Sequence, residues 1–361
     1  MLLNIYLYRT LSRPLIFSIF GCTFLLLVDF LSEIVQNVVL KHVPFFKVME
    51  IISYDMVSLL TLSIPMGMMI GMLIGYSTLA TSNEIVAFKS LGISVRKAIA
   101  PAFFLGLIAS MALFITNQFL TFPAYKKHVN VIKEVAYSKP SFNVEPKRFI
   151  EGLKNYSIYV DDYSSKKNLS KKFIIFQNNS NNKFDTIILG EHLSWLKGEM
   201  LLEKAEVYEI DKKGNNSSKI SFDSQKIPLR EMIADFEDLG VGDEADYYSL
   251  TSLYKKMSGK EKTYYSTLYL KTIFHWKTAL TFSPIVFALL AALLAIGANK
   301  RLGKGDNLAI GLVLLFIYWL WIMYGRGIVD DNLLKPYIVM WAPNILYIFI
   351  SLFLYFRRAK V

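Results

Sequence analysis

Long apolar runs near both ends of the chain enclose a polar middle section. Six of these runs are long enough to cross a bilayer, which takes about 20 consecutive apolar residues in a helix. They lie at about residues 14–36, 52–80, 97–119, 271–298, 308–329 and 337–356. The hydrophobic pattern therefore predicts six transmembrane helices, three on each side of a polar insert.

The insert, at about residues 122–268, consists of short segments in which apolar and polar residues alternate. This period of two predicts strands, which clusters rich in Asn and Ser separate. The predicted strands are 157–160, 172–176, 186–189 and 201–208. Lys197-Gly198-Glu199 is typical of a hairpin turn, and helical composition returns from about Ser249 to Thr267. Many short strands without crossover helices favour an antiparallel sandwich or jelly roll.

The distribution of charge indicates which side of the membrane each segment faces. The net charge of +11 does not indicate nucleic-acid binding, because the basic residues form no single stripe. Short segments rich in Lys and Arg face the cytoplasm by the positive-inside rule. These segments contain Arg9, Arg13, Lys89, Arg96, Lys97, Lys300, Arg301, Lys304, Arg357, Arg358 and Lys360. The opposite short segments hold only Lys41, Lys47 and Lys335. Both termini are thus predicted to be cytoplasmic and the insert extracytoplasmic.

The predicted fold class is a membrane α-helical bundle of six transmembrane helices, three plus three, with an inserted all-β, jelly-roll-like domain. Residues 1–121 form helices 1–3 with a short cytoplasmic helix at about 82–92, residues 122–268 form the β domain, and residues 269–361 form helices 4–6. The first apolar run is too long for a signal-peptide core and lacks a small-residue cleavage site. It is therefore predicted to be a retained anchor.

A short polar helix is predicted between the second and third spans. Thr81 and Glu84 have the S/T-x-x-E spacing of a capping box, and Gly92 offers a left-handed stop. The apolar stripe of this helix comprises Ile85, Phe88 and Leu91. A helix this short is marginal alone, so its stripe must be covered by lipid, by the bundle or by another protein. We interpret it as a docking element.

The second run contains Pro65 and then glycines at four-residue spacing, Gly67, Gly71 and Gly75. Such spacing exposes one helix face to close approach by another backbone. The face either packs inside this bundle or slides against a partner subunit, and both interpretations stay open.

Charged residues near the outer ends of two spans are candidates for a substrate path. Asp29 and Glu33, four apart and hence on one helix face, either extend to the interface or face a lumen. Arg326 closes the fifth run, where the alternative to a path residue is an interfacial anchor. An aromatic belt is predicted beside it, made of Tyr318, Trp319, Trp321 and Tyr324.

The chain carries no motif for catalysis, metal binding or nucleotide hydrolysis. Its four histidines, at 42, 128, 192 and 275, lack metal-ligand spacing, and Cys22 is its single cysteine. Gly303-Lys304-Gly305 has the wrong spacing for a phosphate loop. We therefore expect no cofactor, no metal and no enzymatic activity, so any energy for transport comes from another subunit.

Together these features resemble the LptF/LptG permeases of the lipopolysaccharide export machine. The most specific piece is Asn83-Glu84-Ile85-Val86-Ala87 leading to Ser90-Leu91-Gly92-Ile93-Ser94. Further matching features are Pro65, Phe122-Pro123, Pro284 and Trp341-Ala342-Pro343-Asn344. The likeness covers essentially the whole chain.

The resemblance implies a non-catalytic permease subunit of an ATP-driven exporter in the cell inner membrane, with its β domain in the periplasm. In that family the short helix couples to an LptB-like ATPase dimer. The coupling residues implied here are Glu84, Ile85, Phe88, Leu91 and Gly92. Other implied partners are a second LptF/LptG-like permease, LptC-like and LptA-like bridge proteins, and lipopolysaccharide. By position and charge we assign the substrate path to Asp29, Glu33, Lys41 and Arg326.

Two other classes of protein are disfavoured and one stays open. A membrane sensor would need a cytoplasmic signalling module, and the longest cytoplasmic stretch here is the docking loop. A membrane-embedded enzyme would need polar residues converging at one face of the membrane, and their spacing does not provide this. The open alternative is the transmembrane subunit of an ATPase-driven exporter of another lipid or envelope substrate.

Overall fold

The computed structural model describes residues 2–34, 44–138, 147, 149–150, 156–164, 169–178, 184–196, 199–210, 216–228, 245–261, 263, 265–296, 304–330 and 334–359. Its helices are α1 Leu2–Ile34, α2 Phe45–Thr81, α3 Glu84–Ser90, α4 Val95–Ile115, α5 Thr121–Ser138, α6 Leu250–Met257, α7 Thr267–Ile296, α8 Lys304–Asp330 and α9 Pro336–Ala359. A π-helical segment, Thr116–Leu120, joins α4 to α5.

The six predicted spans are confirmed as helices that are long and apolar enough to cross a membrane. They are Leu3–Val28, Phe45–Thr81, Val95–Ile132, Thr267–Ile296, Asp306–Val329 and Pro336–Arg357. The chain divides into two compact units. The helical unit comprises Met1–Asp29, Asp55–Ala124 and Ala245–Val361, and the β unit comprises Phe30–Tyr54 and Tyr125–Glu244.

Helix α7 lies at the centre of the helical unit. Four consecutive residues, Leu290 to Leu293, are buried, and consecutive helical residues point about 100° apart, so the helix is covered on all sides. Small side chains allow close packing here. A Cβ added to Gly106 of α4 would lie 2.9 Å from Cα of Ile285 and 3.1 Å from Cβ of Ala288. Close backbone approach of this kind is typical of membrane helix pairs.

The glycine face of α2 lies against α1 within the same chain. A Cβ added to Gly67 would lie 2.5 Å from Cα of Ile19, and one added to Gly71 would lie 2.5 Å from Cα of Leu15. At Gly75 the nearest atom would be Cδ2 of Leu11, at 2.8 Å. At Gly67 and Gly71 the added Cβ would meet the backbone of α1, which cannot move aside, so close packing on α1 requires glycine at these two positions; at Gly75 it would meet only the flexible end of a side chain.

The β unit contains one antiparallel sheet in which each strand pairs with its neighbours along the chain. The strands are β1 Phe149–Ile150, β2 Tyr156–Ser164, β3 Leu169–Asn178, β4 Phe184–Leu196, β5 Glu199–Ile210 and β6 Asn216–Pro228. The four predicted strands are confirmed but too short, and β1 and β6 were not predicted. The alternation of apolar and polar residues did not predict strand β6, because most of its described side chains are polar and exposed. Leu196 at the end of β4 pairs with Glu199 at the beginning of β5, and the turn residues Lys197 and Gly198 of the predicted hairpin lie outside the described residues.

A crease crosses the sheet where two lysines adopt left-handed backbone conformations, Lys172 with φ 54° and Lys204 with φ 50°. In β3, Ser170 is buried, Lys171 and Lys172 are both exposed, and Phe173 is buried. The side-chain alternation therefore shifts by one residue at the crease, so apolar residues on both sides of it stay on one face. The exposed row at the crease has charges of alternating sign and contains Asp161, Lys172, Glu191, Lys204 and Asp223.

Candidate functional site

The short helix α3 begins at Glu84, one residue after a left-handed turn at Asn83 with φ 59°. The predicted capping box is wrong, since no side chain caps this helix. Helix α2 continues to Thr81, whose Oγ1 donates to the carbonyl oxygens of Ser77 at 2.9 Å and Thr78 at 3.1 Å. The Thr81 hydroxyl is thus used inside α2. The chain reverses at an Asn because this residue type tolerates positive φ.

The Glu84 carboxylate ties α3 to the rest of the helical unit. Its Oε2 accepts a hydrogen bond from the Tyr6 hydroxyl of α1 at 2.7 Å, and its Oε1 accepts one from Oγ of Ser82 at 2.9 Å. Hydrogen bonds to a charged group are about twice as strong as neutral ones. Glu84 therefore has a structural role that its place in the sequence did not predict.

A complete C-terminal cap ends α3. Gly92 has φ 72°, the left-handed conformation that its position predicts. The amide of Ile93 donates to the carbonyl of Phe88 at 2.9 Å, and the amide of Gly92 donates to that of Lys89 at 2.9 Å. These two bonds make a Schellman motif, which satisfies carbonyls that would otherwise lack partners. Helix α3 is thus held by a carboxylate at one end and by backbone bonds at the other.

The predicted apolar stripe of α3 is divided between two environments. Ile85 is 6% exposed within the core of the helical unit, and Phe88 packs partly against the same core. Leu91 is 76% exposed instead. We call the open side of this helix the α3 outer face, which contains Val86, Ala87, Ser90 and Leu91. The three- and four-residue spacing of Val86, Ala87 and Ser90 is the sequence signal that could have revealed this second face.

Arg326 lies in a polar cluster at the C-terminal end of α8. Its Nη2 is 3.5 Å from Oδ1 of Asp246, and its guanidinium carbon is 4.2 Å from the ring centroid of Trp276. The neighbouring Lys277 is 2% exposed, and its Nζ donates to the carbonyl oxygen of Tyr248 at 2.7 Å. The cluster thus combines two cations with one carboxylate, and one of the cations is buried.

Sequence reasoning missed both Lys277 and Asp246. A lysine inside a long apolar run is an intramembrane ionisable residue, which was a sufficient signal. Asp29 and Glu33 belong to α1, but their side chains, and the whole of Lys41, lie outside the described residues.

The predicted aromatic belt is wrong in one member. Tyr318 is fully buried in the bundle core, where its ring lies 4.8 Å from that of Phe287. Trp319 is partly buried against the same core, while Trp321 and Tyr324 are exposed. Consecutive helical residues point about 100° apart, so this part of α8 turns Tyr318 toward the bundle core and Tyr324 away from it.

A buried polar network lies beside the π-helical segment. Asn117 is 1% exposed, and its Oδ1 accepts a hydrogen bond from Oγ1 of Thr61 at 3.2 Å. Its Nδ2 donates to Oγ1 of Thr281 at 3.3 Å. The network joins α2 and α7 to the point where α4 passes into α5. Among the described residues no group of three or more His, Cys, Asp or Glu side chains is placed to hold a metal ion.

The sequence matches the family described as "Lipopolysaccharide export system permease LptF/LptG" over residues 5–357. The match leaves out a few residues at each end of the 361-residue chain. The chain belongs to the LptF/LptG family. No curated protein matches it.

Membership makes this chain a permease of the lipopolysaccharide export system. Its six apolar helices agree with a multi-pass protein of the inner membrane. An LptF/LptG permease is a subunit of that transporter.

Proposed function

We propose that this LptF/LptG chain couples ATP hydrolysis to lipopolysaccharide export by docking the α3 outer face on a cytoplasmic LptB-like ATPase dimer. The observation that carries the proposal is the exposure of Leu91 and Val86, 76% and 51%, on a helix whose opposite side is anchored in the bundle core. Exposed apolar side chains on a firmly held helix are typical of a protein interface. An anchored helix also transmits displacement to the spans that flank it.

The orientation we propose places α3 and both termini in the cytoplasm and the β unit in the periplasm. The bias of Lys and Arg between the short connecting segments supports it. In this arrangement residues 1–121 and 269–361 form the membrane domain, and residues 122–268 form the periplasmic domain.

The substrate path we propose includes Arg326 and Lys41 as phosphate contacts and Asp29 and Glu33 on the same lumen-facing side. The stacking of Arg326 on Trp276 supports the first assignment, because it orients a partly exposed guanidinium without using all its donors. The carboxylates would repel phosphate, so we assign them to pairing with basic groups of the lumen.

The partners we propose are a second LptF/LptG-like permease, which completes the lumen, and LptC-like and LptA-like proteins that continue the β unit as a periplasmic bridge. The described antiparallel sheet, with one buried apolar core of its own, supports a domain that folds as a separate unit and passes glycolipid onward.

The docking proposal is tested by Leu91→Asp, with Ser94→Asp as a matched control. Both positions are exposed and three residues apart, so the two variants introduce the same charge at neighbouring places. We expect Leu91→Asp to reduce co-purification of the ATPase about tenfold or more, because burying a leucine side chain contributes about 1.5–3 kcal/mol. We expect Ser94→Asp to retain it. Normal ATPase binding by Leu91→Asp would contradict the proposal.

A further inference from the structure

An apolar groove opens between α4, α7 and α9. Its volume is about 290 Å³, and nearly all the side chains that line it are apolar. The residues that shape it are Ile99 of α4, Ile285 and Leu289 of α7, and Ile348, Leu352 and Tyr355 of α9. From Ile348 to Tyr355 the groove extends about 10 Å, at 1.5 Å per residue. It therefore extends along about two turns of α9.

A cation lies beside the Tyr355 end of this groove. Nε of Arg96 donates to the hydroxyl of Tyr355 at 2.5 Å, and the guanidinium carbon lies 5.9 Å from the centroid of the same ring. Ile99 follows Arg96 by nearly one helical turn, so both lie on the same side of α4. The exposed Arg96 is thus fixed where the apolar wall ends, and its guanidinium has four further N–H donors.

The three helices that form the groove carry charge of one sign. Helices α4, α7 and α9 contain no Asp or Glu over their whole lengths. Lys97 and Arg357 lie near Arg96, because the contact with Tyr355 brings the beginning of α4 to the end of α9. The mouth of the groove is therefore complementary to an anion, and its interior is complementary to a hydrocarbon chain.

We propose that the groove binds one anionic glycerophospholipid from the leaflet at the Arg96 end, with an acyl chain along the groove and its phosphate against the Arg96 guanidinium. A helix from another subunit is about 10–12 Å in diameter, so only its side chains could enter a space of about 290 Å³, whereas a segment of an extended acyl chain is narrow enough to lie along it. Basic groups at the end of an apolar crevice between membrane helices recognise lipid headgroups in this way.

This site is separate from the proposed glycolipid path. Trp276 and Lys277 lie near the beginning of α7, whereas the groove begins at Ile285, about 12 Å further along the helix. The lipid would join α4 to α9 where Arg96 and Tyr355 already connect them. That the lipid comes from the cytoplasmic leaflet rests on the proposed orientation. Binding of the lipid to the purified chain does not depend on that orientation.

Native mass spectrometry of the full purified chain tests the inference. The probes are phosphatidylglycerol and phosphatidylcholine with identical acyl chains, supplied as an equal mixture. We expect the wild-type chain to retain one phosphatidylglycerol in preference to phosphatidylcholine. In Arg96→Gln we expect phosphatidylglycerol binding to fall about fivefold, the effect of one basic residue at a membrane surface, with phosphatidylcholine binding unchanged. Arg96 is exposed, so this substitution should not disturb folding.

Matched controls separate the groove from general surface charge and general lipid contact. Arg9→Gln removes the same charge from an exposed arginine of α1, a helix that contributes no residue to the groove, and we expect it to retain phosphatidylglycerol. Leu352→Trp fills the groove and should abolish the retained lipid, whereas Phe353→Trp alters a neighbouring exposed residue that does not line it. Equal retention of both lipids by the wild-type chain, or equal loss in Arg96→Gln and Arg9→Gln, overturns the inference.

Discussion

Glu84 has a structural role and a proposed coupling role, which single-residue substitutions can separate. Its carboxylate accepts hydrogen bonds from Tyr6 and Ser82, so it positions α3 within the chain. The family resemblance implies a direct contact with the ATPase as well. An isolated substitution of Glu84 alters both roles, whereas substitution of Tyr6 alters only the first.

We predict that Tyr6→Phe and Glu84→Gln both loosen α3, since each removes or weakens the bond between Tyr6 and Glu84. Loss of one such bond costs about 1 kcal/mol, which corresponds to about fivefold faster hydrogen exchange of α3 amides. Ser90→Ala is the control, because its hydroxyl bonds only to Val86 within the helix among the contacts described. If ATPase coupling fails in Glu84→Gln and stays normal in an equally loosened Tyr6→Phe, the carboxylate acts on the partner directly.

In the proposed glycolipid path, Arg326 contributes through the geometry of its guanidinium, which lysine at the same position would reproduce only in part. Its planar guanidinium stacks on Trp276 and faces Asp246, whereas lysine offers a point charge without stacking. We therefore predict that Arg326→Lys impairs glycolipid export less than Arg326→Glu, which reverses the charge.

Photo-crosslinking from position 326 tests the location of the path. We expect ATP-dependent crosslinks to glycolipid from this position and none from Phe349, which is 65% exposed on α9 and serves as a lipid-facing control. Crosslinks from 349 alone would move the path to another side of the bundle.

At the scale of elements, the contact between α1 and α2 depends on glycines of α2, which have no side chain. Gly71→Ala would place a Cβ 2.5 Å from Cα of Leu15, which is backbone and cannot move aside by changing rotamer. We predict that this substitution destabilises the helical unit by about 1–3 kcal/mol, as overpacking of a core usually does.

Gly21→Ala on α1 is the matched control, since an added Cβ there meets nothing within 4 Å. Alanine also favours the helix by about 0.5–1 kcal/mol over glycine, so this variant should be as stable as the parent or slightly more so. Thermal unfolding of both variants in the same detergent checks the pair. Equal melting temperatures would show that α1 and α2 separate at little cost.

At the scale of the whole molecule, the orientation in the membrane decides whether α3 can reach a cytoplasmic ATPase. We predict that a cysteine at Asn83 stays unreactive to an impermeant thiol reagent added to intact spheroplasts, where the reagent reaches only the periplasmic side of the inner membrane. Cysteines at Ser221 and Lys335 should react. All three positions are exposed, so side-chain burial does not confound the comparison. The native Cys22 is buried and gives little background. External labelling at Asn83 would reverse the topology and rule out the docking role of α3.

Features that depend on local chemistry were determined by the sequence alone. The six spans follow from the length of hydrocarbon that a helix must cross, and the strands of the insert follow from alternating side chains. The left-handed Gly92 follows from glycine's freedom at positive φ. Where the local pattern was weak, as in the polar strand β6, sequence reasoning failed, because pairing with β5 rather than apolar periodicity holds that strand in the sheet.

Features that depend on what lies opposite a residue were decided only by the tertiary structure. The spacing of Ile85, Phe88 and Leu91 predicted one stripe, but the bundle covers the first two and leaves the third exposed. Thr81 and Glu84 had the spacing of a cap, but the preceding helix uses the hydroxyl and Tyr6, 78 positions away, binds the carboxylate. Lys277 likewise meets a carbonyl 29 positions earlier. Such partners are brought together by packing between distant segments, which a pattern along one chain does not encode.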